Sequence, residues 1–228
     1  MSIRAIESYI NSRKAKNALV LCHQNADPDA IGSAFAFSRL LKRLNPELRI
    51  KIDSPKGISR LSKILSDYLP VKIGGREPLF KDYDAIFMLD TNTIQQMGEW
   101  SFLIRDSEKP LIVIDHHASH PETEKIATLS VSDENSSSTC EIVFGFYKEL
   151  GIKPSKKEAE ALFLGIAFDT KHFTLANSAT FKTMAELVDA NFNTCDLLSM
   201  MNVSMDLSER IAILHPLLLW LGNDTLYC

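Results

Sequence analysis

Three short apolar runs, each stopping on an acid or an imidazole, constrain this chain most: "NALVLCH" (17–23), "DAIFMLD" (84–90) and "PLIVID" (110–115). A short run without polar alternation is the pattern of a strand buried on both faces, as in the interior of a parallel sheet. Helix-length segments separate the runs. Ile3, Ile6 and Ile10 share a stripe over 3–13. Asp29 is placed to cap a helix over 30–44, which Asn45-Pro46 ends. "GISRLSKILSDYL", Cys140 to Leu150 after the capping oxygens of "SSST", "KKEAEALFLGIAF" running into Asp169, and "SATFKTMAELVDA" also read as helices. "LRIKID" is a further strand, and "KIATLSV" one at an edge. Strands alternating with helices predict an α/β fold, a mainly parallel sheet with helices on both faces, followed by a short helical tail.

In such sheets ligands sit outside the carboxyl ends of the strands. The polar groups at strand ends, or just past helix ends, are His23, Asp27, Asp29, Asp90, Asp115, His116, His117 and Asp169. Carboxylates resist burial unless they are paired, hydrogen-bonded or bound to metal. A bland reading makes "DPD" a turn with a helix cap, Asp90 the cap of a helix near Thr93, and Asp169 the cap of a turn. The density of acids and imidazoles favours metal. Mixed carboxylate and imidazole ligands suit Mn²⁺, with Mg²⁺ or another divalent ion as the alternative. Two such ions about 3.5–4 Å apart can activate a water and hold both oxygens of an in-line phosphoryl displacement. Asp27 and Asp29 alternate around a turn, which lets them point to two different ions. Lys171 and His172 follow Asp169 closely enough to reach a phosphate, although a solvated loop accounts for them equally well. Ser136 to Thr139 read as plain helix caps in preference to a phosphate cradle.

Composition narrows the classes. The chain has 228 residues, 45% hydrophobic and 24% charged, with net charge −4. That permits a sizeable core and gives no support to a long nucleic-acid tract, which wants a basic face. Cys22, Cys140, Cys195 and Cys228 are far apart, without a CxxC pair. The N-terminus lacks the apolar core of a signal peptide, and no apolar run reaches membrane-spanning length. The expectation is a cytoplasmic protein with reduced thiols and no membrane association.

"HQNADPDAIGSA", "MLDTN", "VIDHHAS" and "GIAFDT", in that order, resemble the four motifs of the DHH phosphoesterase superfamily. The form of the first motif is most similar to the branch of short-oligonucleotide exonucleases and 3′-phosphoadenosine 5′-phosphate phosphatases. The resemblance implies that His23 and Asp27 bind one metal ion, that Asp29, His116 and Asp169 bind the other, and that Asp90 bridges the two. It implies that Asp115 orients the neighbouring imidazoles and that His117 faces the phosphate. It implies a Mn²⁺-dependent phosphoesterase acting on short oligonucleotides or small nucleotides. Pyrophosphate or polyphosphate hydrolysis is the alternative enzyme. A catalytically weak binding or assembly module is the alternative of another class.

The branch usually carries a second domain with a glycine-rich "GGGH"-type segment, and no such segment is found here. The expected organisation is a DHH domain over 1–190 and, over 191–228, a helical connector with an apolar tail. A truncated reading frame, a second domain on a separate chain, or a minimal single-domain version would each account for this. A homo-oligomer is a further expectation for the apolar tail.

Overall fold

The computed structural model describes residues 2–201. Strands β1 (Asn17–Leu21), β2 (Arg49–Asp53), β3 (Ala85–Leu89), β4 (Leu111–Asp115) and β5 (Leu129–Ser132) pair in parallel, in the order β2-β1-β3-β4-β5. β3 and β4 are buried along their whole length, as their uniform apolarity requires. The parallel α/β class is therefore the one the sequence predicts. "KIATLSV" supplies an edge strand, but a shorter one. Lys125 and Ile126 instead finish helix α5 (Pro121–Ile126), and β5 begins at Leu129.

The sheet is covered on both faces. On one, Leu19, Leu21, Ile86, Met88 and Val113 meet Phe80, Met97, Trp100 and Ile104, the last two from α4 (Trp100–Asp106). On the other, Val20, Phe87, Ile112 and Ile114 meet Ile31, Leu40, Phe146 and Leu162. These come from α2 (Pro28–Leu44), α6 (Thr139–Glu149) and α7 (Lys156–Asp169). Helices α1 (Ile3–Ser12), α3 (Arg60–Tyr68), α8 (Ser178–Val188) and α9 (Thr194–Met200) complete this layer. Among the described residues no helix is long and apolar enough to cross a membrane. α9 falls within the expected connector, and the apolar tail with Cys228 lies outside the described residues.

One cap differs from expectation. Asp27, and not Asp29, caps α2: its Oδ1 accepts from the N–H groups of Asp29 and Ala30 at 3.0 and 3.1 Å. The reason is Pro28, which lacks an N–H and has the φ of a first helical residue, so the helix starts there. Asp29 then sits in the first turn with its side chain fully buried and turned toward α6.

α2 and α7 cross closely because each has a glycine at the contact. A Cβ on Gly32 would stand 2.5 Å from the backbone oxygen of Ala161. One on Gly165 would run into Cys140 Sγ and stand 3.0 Å from Asp29 Oδ1. Gly32→Ala must push the two helices apart and is expected to destabilise the fold by roughly 1–3 kcal/mol. Urea unfolding should show a lower midpoint with an unchanged slope. An unchanged midpoint would show that the crossing is not tight.

Candidate metal centre

The chain leaves β1 toward β2 on one side, and β3 lies on the other side of β1. The switch point of the sheet is therefore the crevice between the carboxyl ends of β1 and β3. His23 stands on one side of it and Asp90 on the other.

His23 Nδ1 lies 2.9 Å from the carbonyl oxygen of Gln24. A carbonyl only accepts, so Nδ1 carries the proton and Nε2 faces the crevice. That Nε2 is 3.7 Å from both Asp27 Oδ2 and Asp90 Oδ2. Asp90 itself has a left-handed backbone, φ 56°, and its N–H is held by the carbonyl of Ile114 at 3.0 Å. Its other oxygen, Oδ1, faces His116 Nε2 at 3.6 Å, and the same Nε2 is 3.0 Å from Asp169 Oδ2. This Nε2 is buried and, although close to Asp169, is not aligned for a hydrogen bond to it. Asp169 is the last residue of α7 and reaches the crevice from the helix end.

Three overlapping sets of side chains bring their ligand atoms within 4.8 Å of one another: His23, Asp27 and Asp90; Asp29, Asp90, His116 and Asp169; Asp90, Asp115, His116 and His117. Asp90 belongs to all three. Every residue singled out in the sequence as a metal ligand thus meets at one rim, together with Asp115 and His117. Lys171 and His172 are exposed on a left-handed turn just past Asp169, with φ 49° and 53°. His120 caps α5, its Nδ1 accepting from the Glu122 N–H at 3.3 Å.

Asp115 and His117 form a separate pair. The His117 ring Nδ1–H and its backbone N–H both donate to Asp115 Oδ1, at 2.7 and 2.9 Å. Asp115 is buried and the His117 side chain is 57% exposed. The imidazole is thus anchored by one nitrogen and open to solvent at the rim.

Of residues 136–139, which read as plain caps, Ser138 does cap α6. The N–H groups of Thr139 and Cys140 donate to Asp29 Oδ2 and Oδ1 at 2.7 and 2.9 Å, so the start of α6 serves a carboxylate of the chain itself. Thr139 Oγ1 also donates to Asp90 Oδ1 at 3.0 Å. Ser54 Oγ lies 2.6 Å from the His23 carbonyl oxygen and steadies the end of β1.

The electrostatics fit a cation. Asp29 and Asp90 are buried, and the ion-pair partners of Asp27, Asp90 and Asp169 are His23 and His116. Burial, then the charges of Asp27, Asp169 and Asp115, push the Asp90 carboxyl up to about 7. Burial, then Asp90 and Asp169, push Asp29 well above the usual range. Burial works against a charge on His23, yet Asp27, the Gln24 carbonyl and Asp90 outweigh it and lift its pKa to about 9. A crowd of buried acids whose imidazole nitrogen has no hydrogen-bond partner is what divalent cations satisfy.

The model of the DHH family, N-terminal domain, matches residues 17–166. An uncharacterized protein of Methanocaldococcus jannaschii is 35% identical over 203 residues, which are 87% of this chain and 59% of that protein. The probable bifunctional oligoribonuclease and PAP phosphatase NrnA of Streptococcus mutans is 26% identical over 207 residues, 87% of this chain and 61% of that protein. An exopolyphosphatase-related protein from Bacteroides fragilis has the same fold, with a TM-score of 0.76 at 22% identity over 90% of this chain and 62% of its own. The chain spans less than two thirds of the length of each.

Without metal, the site should make stability fall as pH rises. Asp90 and His23 both have folded pKa values raised above the ordinary ones, to about 7 and about 9. Each therefore contributes stability fully below its unfolded pKa and loses it as pH climbs through the folded one. Asp27, whose pKa is lowered, works the other way, but its contribution is already complete above the usual carboxylate range. In EDTA the melting temperature is expected to drop from pH 5 to pH 9, and added Mn²⁺ should restore it at the alkaline end. A metal-free melting temperature that rises over this range would contradict the electrostatics described.

Proposed function

Because the chain belongs to the DHH family, we propose that it is a divalent-metal-dependent phosphoesterase, with phosphodiester or phosphomonoester bonds of short oligonucleotides or small nucleotides as its substrates. The observation that carries this reading is the division of Asp90. One of its oxygens faces His23 and the other faces His116, so a single buried carboxylate joins two half-sites. His23 and Asp27 would hold one ion with Asp90, and Asp29, His116 and Asp169 the other. Mn²⁺ suits this mixed donor set, with Mg²⁺ the competing ion. When bound, two such ions supply acidity to a water and positive charge opposite a phosphoryl group.

The chain's own groups do the rest. Asp115 holds Nδ1 of His117, which leaves Nε2 directed outward to the rim. The Asp115 hydrogen bond outweighs the effect of burial and raises the His117 pKa, favouring the protonated ring. That group would face the phosphate and give a proton to the leaving oxygen. The likeness to NrnA, named for oligoribonuclease and PAP phosphatase activity, supports nucleotides over pyrophosphate.

With Mn²⁺, the protein is expected to hydrolyse an activated diester such as bis-p-nitrophenyl phosphate. It should turn over a dinucleotide or 3′-phosphoadenosine 5′-phosphate faster than pyrophosphate. A preference for pyrophosphate would move the substrate class, and no divalent-dependent hydrolysis of any of these would sink the reading. Asp90→Ala should abolish activity and disturb both ions. His117→Ala should lower turnover by about 10²–10⁴ while leaving metal stoichiometry unchanged. Loss of an ion in His117→Ala would make His117 a ligand instead.

A further inference from the structure

The Asp90 carboxylate can divide its oxygens between two half-sites only if its plane is held at one angle. Its left-handed backbone and its N–H to Ile114 set where the side chain starts. They do not set the final torsion, which in aspartate is broad and weakly restrained. The imidazoles of His23 and His116 stand 3.7 and 3.6 Å away, beyond hydrogen-bond length. Among the described residues, the hydrogen bond that reaches this carboxylate comes from Thr139 Oγ1, at 3.0 Å to Oδ1. Thr139 is itself wholly buried. Its backbone N–H donates to Asp29 Oδ2 at 2.7 Å, so one residue grips a carboxylate of the second half-site with its amide and the shared carboxylate with its hydroxyl. It does so from the first turn of α6, an element that contributes no metal ligand in the reading above.

We infer that Thr139 is a positioning residue that couples the two half-sites by fixing the orientation of Asp90. The inference rests on the two-ion reading. Without the hydroxyl, the Asp90 carboxylate can turn, and an ion at one half-site no longer prearranges the oxygen needed at the other. The two ions should then bind more weakly and independently.

The test is calorimetric titration of Mn²⁺ into the full chain, comparing wild type with Thr139→Val and Thr139→Ser, alongside metal-free melting. Valine keeps the shape and the amide bond to Asp29 but removes the hydroxyl, whereas serine keeps the hydroxyl. Wild type should bind two ions. T139V should lose about 10–100-fold in affinity for the second ion bound, and T139S should stay close to wild type. A purely structural role would move the melt and leave the ratio of the two affinities alone. T139V binding both ions as wild type does, or T139S binding as weakly as T139V, would overturn the inference. If T139V does not fold, T139A, which also lacks the hydroxyl, takes its place: weakened binding of the second ion beside wild-type-like T139S upholds the hydroxyl's role, and unchanged binding rejects it. Failure of the two-ion reading itself would show separately, as a wild-type trace without Mn²⁺ binding.

Discussion

Buried like charges that cannot all be ionised without a cation set the terms for the rest of this molecule. Asp29 and Asp90 are withdrawn from water, Asp27 and Asp169 stand beside them, and the imidazoles of His23 and His116 are the positive groups at hand. The fold tolerates the arrangement because it supplies fixed dipoles as well. The first turn of α6 turns two N–H groups on Asp29, and the first turn of α2 turns two on Asp27. Helix starts favour negative charge, and here that preference is spent on side chains of the chain itself.

Delivering those helix starts to one place demands close packing. α2 must carry Asp29 deep enough to meet α6, and α7 must end with Asp169 at the same rim. The two glycines at the α2–α7 crossing remove the side chains that would hold these helices apart. Cys140, at the start of α6, fills the space beside Gly165. Packing and chemistry are one requirement here, since a displaced helix would carry a carboxylate away from the crevice.

Much of this was legible in the sequence, for physical reasons. β1, β3 and β4 show as apolar runs because both faces of a central parallel strand are buried, and the polar residue ending each run marks the rim. The short helices α4 and α5 leave no such trace. "WSFLIRD" spans 7 residues, too few turns for periodicity to speak, and the end of α5 reads as strand because Ile126 adjoins the apolar start of β5. The cap of α2 reads as Asp29 instead of Asp27 because two aspartates flank the proline and each has capping chemistry. The meeting of His23 through Asp169 at one rim could be anticipated from strand ends. The part played by Thr139 could not. Its hydroxyl finds Asp90 across 49 residues and its amide finds Asp29 across 110, and a Ser-Ser-Ser-Thr run looks the same whether it caps a helix or orients a carboxylate.

The strand order has a consequence for how the chain acquires its shape. β1 lies between β2 and β3, and Ala18 waits for Ala85 as its partner. The groups at the crevice run from His23, beside the first strand, to Asp169, beyond the last. During synthesis the acidic crevice therefore cannot exist until residues past 169 have left the ribosome, and its contacts are among the most distant along the chain. Non-local contacts of this kind form slowly. The crevice and the helix crossing that frames it are thus completed together, late in synthesis, since Gly32 meets Ala161 across the same stretch of chain.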